Sequence, residues 1–448
     1  MTVMNRKRKK QIVNDFQTKM DYDELLNCMR CGFCLPSCPT YIETDGNEAA
    51  SPRGRIALMK AVVDGKMEPD KDFEDQLSLC LGCRACEPAC PSGVKYGHLL
   101  EEARDILESK KKHSPPVKLL RRVVFDQLFP HQNRMRKLSG LMWFYQKSGI
   151  QKVARATNMT KIAGKNMSTM EKVLPPIPSP ARLKNRPSFV KAEGAVKKKV
   201  AFFSGCLMDT MFMQTNDATL YLLKKANCEV VIPQTQNCCG ALHAHSGEKD
   251  TAKELAKKNI EAFEDGEFDY IISNAGGCGA LLVEYDHLLK DESEWKERAQ
   301  AFSNKVRDIT EILYEVGLPD MELNSQIVTY QDSCHLRNVM RTAAAPRKLL
   351  QLIKGVSYME MKDADQCCGS AGTYNIIEQE MSMQILDHKM RNVESTKAAT
   401  IVTANPGCLL QMKLGIEREG KKDNMRAVHI VDLLAEAVRK KEEEKQTV

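Results

Sequence analysis

The stretch CMRCGFCLPSCP at residues 28–39 determines how the N-terminal part of this chain folds, and CLGCRACEPACP at residues 80–91 repeats it. Both stretches have the spacing C-x2-C-x2-C-x3-C-P, which is the bacterial signature for binding [4Fe–4S] clusters. The chemistry explains the spacing, because four iron atoms at the corners of a cube each bind one soft thiolate. Three closely spaced cysteines supply three corners from one loop, so the fourth ligand must come from further away.

In a two-cluster arrangement of this kind, the fourth cysteine of each run binds the other cluster. We therefore predict that cluster 1 is held by Cys28, Cys31, Cys34 and Cys90. We predict that cluster 2 is held by Cys80, Cys83, Cys86 and Cys38. Structural zinc is the alternative, but zinc sites use paired C-x2-C units with four ligands in all, which two triplets with Cys-Pro endings match poorly.

Two arginines lie between the runs, in the segment SPRGRI at 51–56. Arg53 and Arg55 either offset the negative charge of a cluster, contact a partner or form ordinary surface salt bridges.

The composition is that of a globular protein of 448 residues, a length that suggests about three domains. Its 17 cysteines are too few for a disulfide scaffold, and clustered thiols in a reducing compartment indicate metal or redox chemistry. The net charge of +7 is too mild to indicate nucleic-acid binding. There is no secretory signal and no apolar run of roughly 18 residues, so we expect a cytoplasmic chain. The basic run RKRKK at 6–10 is expected to be a solvated, frayed end.

The second half of the chain is a duplication. VAFFSGC at 200–206 corresponds to IVTYQDSC at 327–334, and YIISNAGGC at 270–278 corresponds to TIVTANPGC at 400–408. Each repeat alternates β-branched runs with helical segments, which predicts two α/β domains with mostly parallel sheets. The cysteines then lie in loops at strand ends, where open α/β sheets bind ligands.

We predict an α+β multidomain protein with four segments. A helical, two-[4Fe–4S] ferredoxin-like domain spans 1–110, a linker spans 111–198, and duplicated α/β cysteine-rich domains span 199–320 and 321–448. The linker begins with basic amphipathic sequence and ends in the Pro-rich PPIPSPARLKNRP, which is typical of an extended connection. Its amphipathic part either packs against a neighbouring domain or subunit or lies on an anionic membrane, since basic residues with Trp143, Phe144 and Tyr145 suit that interface.

The chain resembles two related families. The cysteine-rich domains resemble the CCG domains of the heterodisulfide reductase B family, and the whole chain resembles the iron–sulfur subunits of bacterial glycolate oxidase (glycolate dehydrogenase). The sequence segments that carry the resemblance are CGFCLPSCPTY, SPRGRI, CPSGVKY, the first CCGA, EYDHLLKD, CCGSAGTY and IVTANPGC. They extend over both N-terminal runs and both repeats.

The resemblance implies further metal ligands in the repeats. They are Cys206, Cys238, Cys239 and Cys278 in the first repeat and Cys334, Cys367, Cys368 and Cys408 in the second. The family pattern has a fifth cysteine, and Ala275 and Asn405 occupy its positions here. Four thiolates per repeat leave three alternatives open: an ordinary [4Fe–4S] cube, a labile site, or a Gly-rich loop that holds no metal and contacts a partner.

Several other side chains are weaker candidates. His243, His245 and His335 either ligate iron, donate hydrogen bonds to cluster sulfur, carry protons or are plain loop residues. Cys228 has no counterpart in the second repeat and is expected to be a buried apolar residue.

The resemblance also implies a function. The chain would be the electron-transfer subunit of a flavin-dependent glycolate dehydrogenase, passing electrons from a flavin subunit, during the oxidation of glycolate to glyoxylate, to a quinone-type acceptor. Its partners would be a FAD-containing subunit and a second flavin-type subunit, at the inner face of the cell membrane, and not nucleic acid. The chain itself has no G-x-G-x-x-G or P-loop motif and no complete substrate site, and we predict no catalytic residue in it.

Two alternatives remain. The chain could be the equivalent subunit of a D-lactate or glycerol-3-phosphate dehydrogenase, or an iron–sulfur redox sensor or scaffold.

Overall fold

The computed structural model describes residues 6–157, 159–160 and 165–447. The remaining residues, at the two ends and within the predicted linker, lie outside the described part of the chain. The predicted fold class, a helical N-terminal domain followed by a duplicated α/β unit, is confirmed. Within the described ranges, none of the helices combines the length and the apolar composition that a bilayer-spanning segment needs.

The N-terminal domain is built from helices joined by long loops. Its helices are α1 (Arg6–Lys19), α2 (Tyr22–Leu26), α3 (Pro39–Ile42), α4 (Pro52–Val63), α5 (Lys71–Ser78) and α6 (Tyr96–Ser109), with a 3-10 turn at Glu48–Ala50. The side chains of Asp21, Ser51 and Asp70 accept hydrogen bonds from backbone N–H groups in the first turns of α2, α4 and α5. These caps define the helix starts and leave the two cysteine runs in the α2–α3 and α5–α6 loops.

The basic run at 6–10 is not the frayed end that the sequence predicts. It forms the start of α1, where Arg8 pairs with Glu74 at 2.9 Å and Lys9 pairs with Glu68 at 3.2 Å. The apolar face of the same helix buries Phe16 completely in the N-terminal core. The helix is thus anchored by its apolar stripe, and the charged residues remain on its polar side.

The linker is mostly helical. Its elements are α7 (Pro115–Arg121), a π-helical segment at Arg122–Leu128, α8 (Gln132–Lys147), α9 (Ile150–Ala156), α10 (Lys165–Lys172) and α11 (Pro180–Lys184). The Pro-rich end was expected to be extended, but it contains α11. The reason is local, since Ser179 caps the Arg182 N–H and Pro180 occupies the first helical turn, where a missing N–H costs nothing.

The first repeat forms a five-stranded sheet with the order β1-β3-β2-β4-β5. Its elements are β1 (Phe189–Val190), β2 (Lys198–Phe203), α12 (Met213–Lys225), β3 (Cys228–Val231), α13 (Ala241–His245), α14 (Lys249–Glu264), β4 (Tyr270–Ser273), α15 (Gly276–Leu282), α16 (Tyr285–Leu288), α17 (Lys296–Lys305), β5 (Val306–Asp308) and α18 (Ile309–Val316). All pairings are parallel except that of β1 with β3.

The second repeat forms a parallel four-stranded sheet with the order β7-β6-β8-β9, which matches β3-β2-β4-β5 of the first. Its elements are β6 (Glu322–Gln331), α19 (Cys334–Asn338), α20 (Ala344–Gln351), β7 (Lys354–Tyr358), α21 (Tyr374–Ile377), α22 (Gln379–Ser395), β8 (Thr400–Thr403), α23 (Pro406–Arg418), β9 (Arg426–His429) and α24 (Ile430–Thr447).

One hydrophobic core joins the two repeats. Helix α24 of the second repeat packs on α12 of the first, and Leu222 and Leu434 of these helices are fully buried in the same core. At the other end of the sheets, the Gly276 N–H donates to the Ala404 carbonyl at 3.1 Å, which brings the carboxyl ends of β4 and β8 together. The two sheets therefore form one unit, with their ligand-binding ends adjacent.

We expect Leu434→Ala to lower the free energy of unfolding by about 2–5 kcal/mol, because the substitution leaves a cavity in the shared core. Urea unfolding followed by circular dichroism measures the effect. The matched control is Leu352→Ala, which alters a leucine that is 59% exposed and should change stability by less than about 0.5 kcal/mol. An equally small effect of both substitutions would contradict a shared core.

Candidate iron–sulfur sites

Cys38 lies between the two cysteine runs. Burial raises the pKa of Cys83 and Cys86 well above the usual range, and the nearby Cys38 thiol adds to both shifts. Cys38 is also buried, with its Sγ 3.3 Å from the Thr40 hydroxyl. The Cys38 thiol also contributes to the raised pKa of Cys34 in its own run, so it is near thiols of both runs.

The thiols of the first run lie closer to the surface. Burial raises the pKa of Cys34 to about 11, and the neighbouring Cys28 thiol contributes. Cys28, Cys34 and Cys90 are partly buried against the same hydrophobic core, whereas Cys31 is exposed. The predicted ligands of cluster 1 thus occupy the outer edge of the domain.

The surroundings of Arg55 indicate whether the predicted ligands of cluster 2, here called the second set of thiols, suit an iron–sulfur cluster. Its side chain is completely buried, its Nε donates to the Gln76 carbonyl at 2.7 Å, and its Nη2 donates to Thr40 Oγ1 at 3.0 Å. Its Nη1 is buried without a hydrogen-bond partner among the described residues, and the ionisable groups that favour its charged form are Cys80, Tyr96 and Cys38.

A buried cation is costly unless an anion balances it. A 2+ cube held by four thiolates has a net charge of about −2, because the metal charge must be counted with its ligands. Arg55 therefore fits a [4Fe–4S] cluster on the second set. Arg53, by contrast, forms an ordinary surface ion pair with Glu48, at 2.6 Å.

Hydrogen-bond donors point at the same sulfur. The Gly82 N–H and the Tyr96 hydroxyl each donate to Cys80 Sγ at 3.4 Å, and Gly82 has the positive φ of +64° that orients its amide. Burial opposes ionisation of Cys80, but the charges of Arg55 and Arg104 outweigh it, and the pKa of this thiol is lowered. The site stabilises a thiolate, which is the form that binds iron.

The first-repeat cysteines converge from three strands. Cys206 follows β2, Cys238 and Cys239 follow β3, and Cys278 lies in the first turn of α15 after β4. The Sγ atoms of Cys206 and Cys238 are 3.6 Å apart, and hydrogen bonds from Cys238 and Cys278 lower the pKa of Cys239. Because β2 and β4 flank the point at which the strand order reverses, their carboxyl ends open the crevice that binds ligands in such sheets.

The second repeat gathers its four thiols in the same way. Cys334 follows β6, Cys367 and Cys368 follow β7, and Cys408 lies in α23 after β8. Hydrogen bonds connect Cys334 to Cys367, Cys367 to Cys368, and Cys368 to Cys408. Each repeat thus presents one group of four thiols, the number that a cube requires.

The residues at the missing fifth positions have other roles. The Asn405 side chain donates to Cys408 Sγ at 3.7 Å and accepts from the Gly277 N–H at 3.0 Å, so it bridges the second repeat to α15 of the first. Ala275 is buried in the core beneath Cys278 and Cys408.

Among the described residues, no group of three or more His, Cys, Asp and Glu side chains is close enough to hold a single metal ion.

The thiol sets are contiguous. Cys83 and Cys367 share a small hydrophobic cluster with Cys334 at its edge, and the Asn338 side chain donates to the Cys83 carbonyl at 2.9 Å. Cys278 of the first repeat packs against the cluster that contains Cys368 and Cys408. The order through the molecule is therefore the N-terminal runs, the second repeat and then the first repeat.

The three predicted histidines are all held by other groups. The His335 ring is buried against the Gly82 carbonyl at 3.1 Å and stacks on His245, which pairs with Glu101 at 2.9 Å. His243 Nε2 lies 2.9 Å from the Phe125 carbonyl of the linker. Cys228 is fully buried in the shared core, and burial raises its pKa to about 11.

A second pair of histidines lies at the interface between the N-terminal domain and the first repeat. The His98 and His287 rings stack with their centroids 3.5 Å apart, and His98 is 3.1 Å from Glu284, which also binds Arg84 at 2.5 Å. Burial opposes ionisation of Glu284, yet His98 and Arg84 hold its pKa at about 2. Burial lowers the pKa of His287 to about 4. This group was not predicted from the sequence, although Glu284 and His287 belong to the segment EYDHLLKD.

Comparison with known protein families gives matches in the N-terminal domain, in the linker and in both repeats. A 4Fe-4S dicluster domain matches residues 24–94, and a cysteine-rich domain called CCG matches 200–283 and 328–413. The linker region of the glycolate oxidase iron–sulfur subunit matches 116–174. The dicluster match supports the predicted pair of [4Fe–4S] clusters in the N-terminal domain, and the CCG matches fit iron–sulfur chemistry in the repeats.

Individual relatives agree with these matches. A probable glycolate oxidase iron–sulfur subunit of Bacillus subtilis (strain 168) is 62% identical over 96% of this chain and 98% of its own length. The glycolate oxidase iron–sulfur subunit of Escherichia coli (strain K12) is 32% identical over 87% of this chain and 90% of its own. Lactate utilization protein A of Oceanobacillus iheyensis is 35% identical over 53% of this chain and 96% of its own. The chain is an iron–sulfur electron-transfer subunit of an oxidoreductase and belongs to the family of glycolate oxidase iron–sulfur subunits.

Proposed function

We propose that this chain transfers electrons in a flavin-dependent glycolate dehydrogenase complex. A FAD-containing subunit and a second flavin-type subunit would be its partners, glyoxylate would be the product, and a quinone-type compound would be the final acceptor. The observation that carries the proposal is the contiguous series of thiol sets that runs from the N-terminal domain to the linker. The 62% identity to a probable glycolate oxidase subunit supports glycolate as the electron donor.

We propose the predicted cysteines as the ligands, with one further cluster on the four thiols of each repeat. Each cluster, when bound, transfers one electron at a time. The side chains around the thiols set the environment for this transfer. Arg55 balances charge at Cys38 and Cys80, and the Gly240 N–H donates to Cys238 Sγ at 3.4 Å. The hydrophobic cluster with Leu81 and Tyr374 keeps water out between Cys83 and Cys367.

The surface around cluster 1 suits a docking partner. Cys31 is exposed, and Leu26, Met29 and Phe33 beside it are 53%, 68% and 67% exposed. Exposed apolar side chains grouped around one polar site mark protein–protein contacts. We propose that the FAD-containing subunit binds here and delivers electrons to the outermost set of thiols.

The linker covers the opposite end of the series. His243, four residues after Cys239, lies against Phe125 and Phe129 of the linker. The outer surface of the linker has exposed apolar side chains, among them Leu119, Leu120, Val123, Leu141, Phe144 and Val153, next to exposed Lys118 and Arg122. Basic residues beside an apolar face suit an anionic membrane surface. We propose that this face holds the subunit at the inner side of the cell membrane, where a quinone is within reach.

A lactate-type donor is the second candidate. The observation that favours it is the 35% identity to lactate utilization protein A over about half of this chain.

The complete complex distinguishes these donors. We expect glycolate to reduce a dye with a kcat/KM about 10–200-fold above that of D-lactate, because one methyl group changes transition-state binding by about that factor in a fitted pocket. Dye reduction with glycolate, D-lactate and glycerol 3-phosphate is the measurement. Stronger activity with D-lactate would overturn the choice of glycolate, and clusters that no donor reduces would indicate a sensor instead.

Double substitutions test the crossed ligands. Freshly prepared anaerobic protein should hold about eight irons in the two cubes, and Cys28→Ala should remove about four. Adding Cys90→Ala should remove no more, because both thiols serve cluster 1, whereas adding Cys38→Ala should remove about four more. The reverse result would show uncrossed ligands, and Cys228→Ala is the control that should leave the iron content unchanged. With one further cluster on each repeat, the wild type should hold about sixteen irons in all, and Cys368→Ala should lose about four from the second repeat. A total of about eight would contradict clusters on the repeats.

Vesicle binding tests the linker face. We expect Leu119→Glu with Leu120→Glu to weaken binding to anionic phospholipid vesicles at least about tenfold, because two leucines lose their apolar burial and two negative charges are added. Cosedimentation measures binding, and Leu352→Glu is the control at an equally exposed leucine outside the linker. Equal loss in the control, or no binding by the wild-type chain, would contradict membrane association through this face.

A further inference from the structure

A basic cleft lies between the linker and the first repeat. Its volume is about 480 Å³, and one wall is the start of α8. The opposite wall consists of the loops that follow β2 and β3, including Gly205 and Asn237. These two residues directly precede Cys206 and Cys238, so the floor of the cleft is the backbone that positions two first-repeat thiols. Clefts of about 300–1,000 Å³ are typical of small-molecule sites.

The cleft has an excess of positive charge. Its lining residues, all of them in the described part of the chain, include the cations Arg134, Arg136, Lys137 and Arg186 against a single carboxylate, Asp209. Arg186 pairs with Asp209 at 2.6 Å and Arg136 pairs with the same carboxylate at 3.1 Å. One carboxylate cannot neutralise four cations, so the cleft is set up to attract an anion.

Unpartnered polar atoms point to the same conclusion. Arg136 Nε and Arg186 Nε are buried and lack a hydrogen-bond partner among the described residues. The Arg186 side chain is only 9% exposed. Buried donors without partners are rare in folded proteins, and an acidic group placed across an arginine fork would satisfy them.

The size and the walls of the cleft define the ligand further. Pro187, Leu220 and Pro233 contribute apolar surface, while Gln234 contributes an amide. A two-carbon acid would fill only a small part of this space. An organic molecule with a doubly charged acidic group would pair that group with the arginines and place its body against the apolar wall.

We propose that this cleft binds a small organic molecule that carries a doubly charged acidic group, either a phosphate ester or a polycarboxylate. Arg136, Arg186 and Lys137 bind the acidic group, and the loops before Cys206 and Cys238 contact the body of the ligand. The linker and the first repeat form the site together, so occupancy ties α8 to the loops that carry the first-repeat thiols. The inference is independent of which donor reduces the complex.

Calorimetric titration of the full-length chain, with its clusters reconstituted, tests the proposal. The probes are AMP as a phosphate ester, citrate as a polycarboxylate, and inorganic phosphate and glycolate as small anions. We expect AMP or citrate to bind at least about tenfold more tightly than either small anion. Hydrogen–deuterium exchange should then show protection at residues 130–137 and 204–209. Equal affinity for all four probes, or no binding of AMP and citrate, would overturn the proposal.

Matched substitutions assign the binding to the cleft. We expect Arg136→Gln and Lys137→Gln each to weaken binding of the preferred probe by about tenfold. Lys152→Gln makes the same change of charge on α9, outside the cleft, and should leave the affinity unchanged. Equal weakening by all three substitutions would contradict a built site and indicate general attraction by the basic linker. Circular dichroism and iron content establish that the variants remain folded and loaded.

Discussion

The burial of thiolates is the constraint on which the rest of this structure depends. A thiolate in an apolar environment is unstable unless donors and cations surround it. The N-terminal domain meets this requirement with Arg55, a fully buried cation that pairs with no carboxylate of the described residues and lies next to Cys38 and Cys80. Backbone amides complete the environment, as at Gly82 and Gly240, which donate to neighbouring sulfur atoms. The helices of this domain serve mainly to hold two such loops together.

In the second half of the chain, the duplicated domains also gather thiols at buried sites. Two sheets with matching strand order bring the carboxyl ends of β4 and β8 together, and each sheet gathers its four cysteines at the reversal in strand order. The surroundings of the two sets differ, however. The second-repeat set contacts Cys83 of the N-terminal domain, whereas the first-repeat set lies beneath the linker. The two ends of the series of thiol sets therefore differ, although the two repeats have similar sequences.

Charge is distributed unevenly over the molecule. The network of Arg84, Glu284 and His98 is buried and nearly balanced at the interface beside the second thiol set. The cations of α8 instead face a cleft with one carboxylate, and those of α7 lie beside exposed leucines. The linker is therefore the most basic part of the chain, with many Lys and Arg residues and few Asp or Glu residues.

Features that are encoded over short distances could be predicted from the sequence. The spacing of Cys28 to Cys38 and of Cys80 to Cys90 indicated two cubes, and the repeated runs before Cys206 and Cys334 indicated two parallel sheets, because ligand spacing and strand periodicity are local properties. The N-cap at Ser179 is also a local feature, but it was not predicted, and the Pro-rich segment that forms α11 was expected to be extended.

Which distant segments meet is evident only in the folded molecule. There, Arg55 is buried, whereas Arg53 forms a surface ion pair. His98 stacks on His287 across the domain interface, and the second repeat lies between the N-terminal runs and the first repeat. The basic cleft likewise exists only because α8 packs close to two strand-end loops. The physical reason is that contacts between segments far apart in the chain depend on how whole domains pack, which no local pattern of residues encodes.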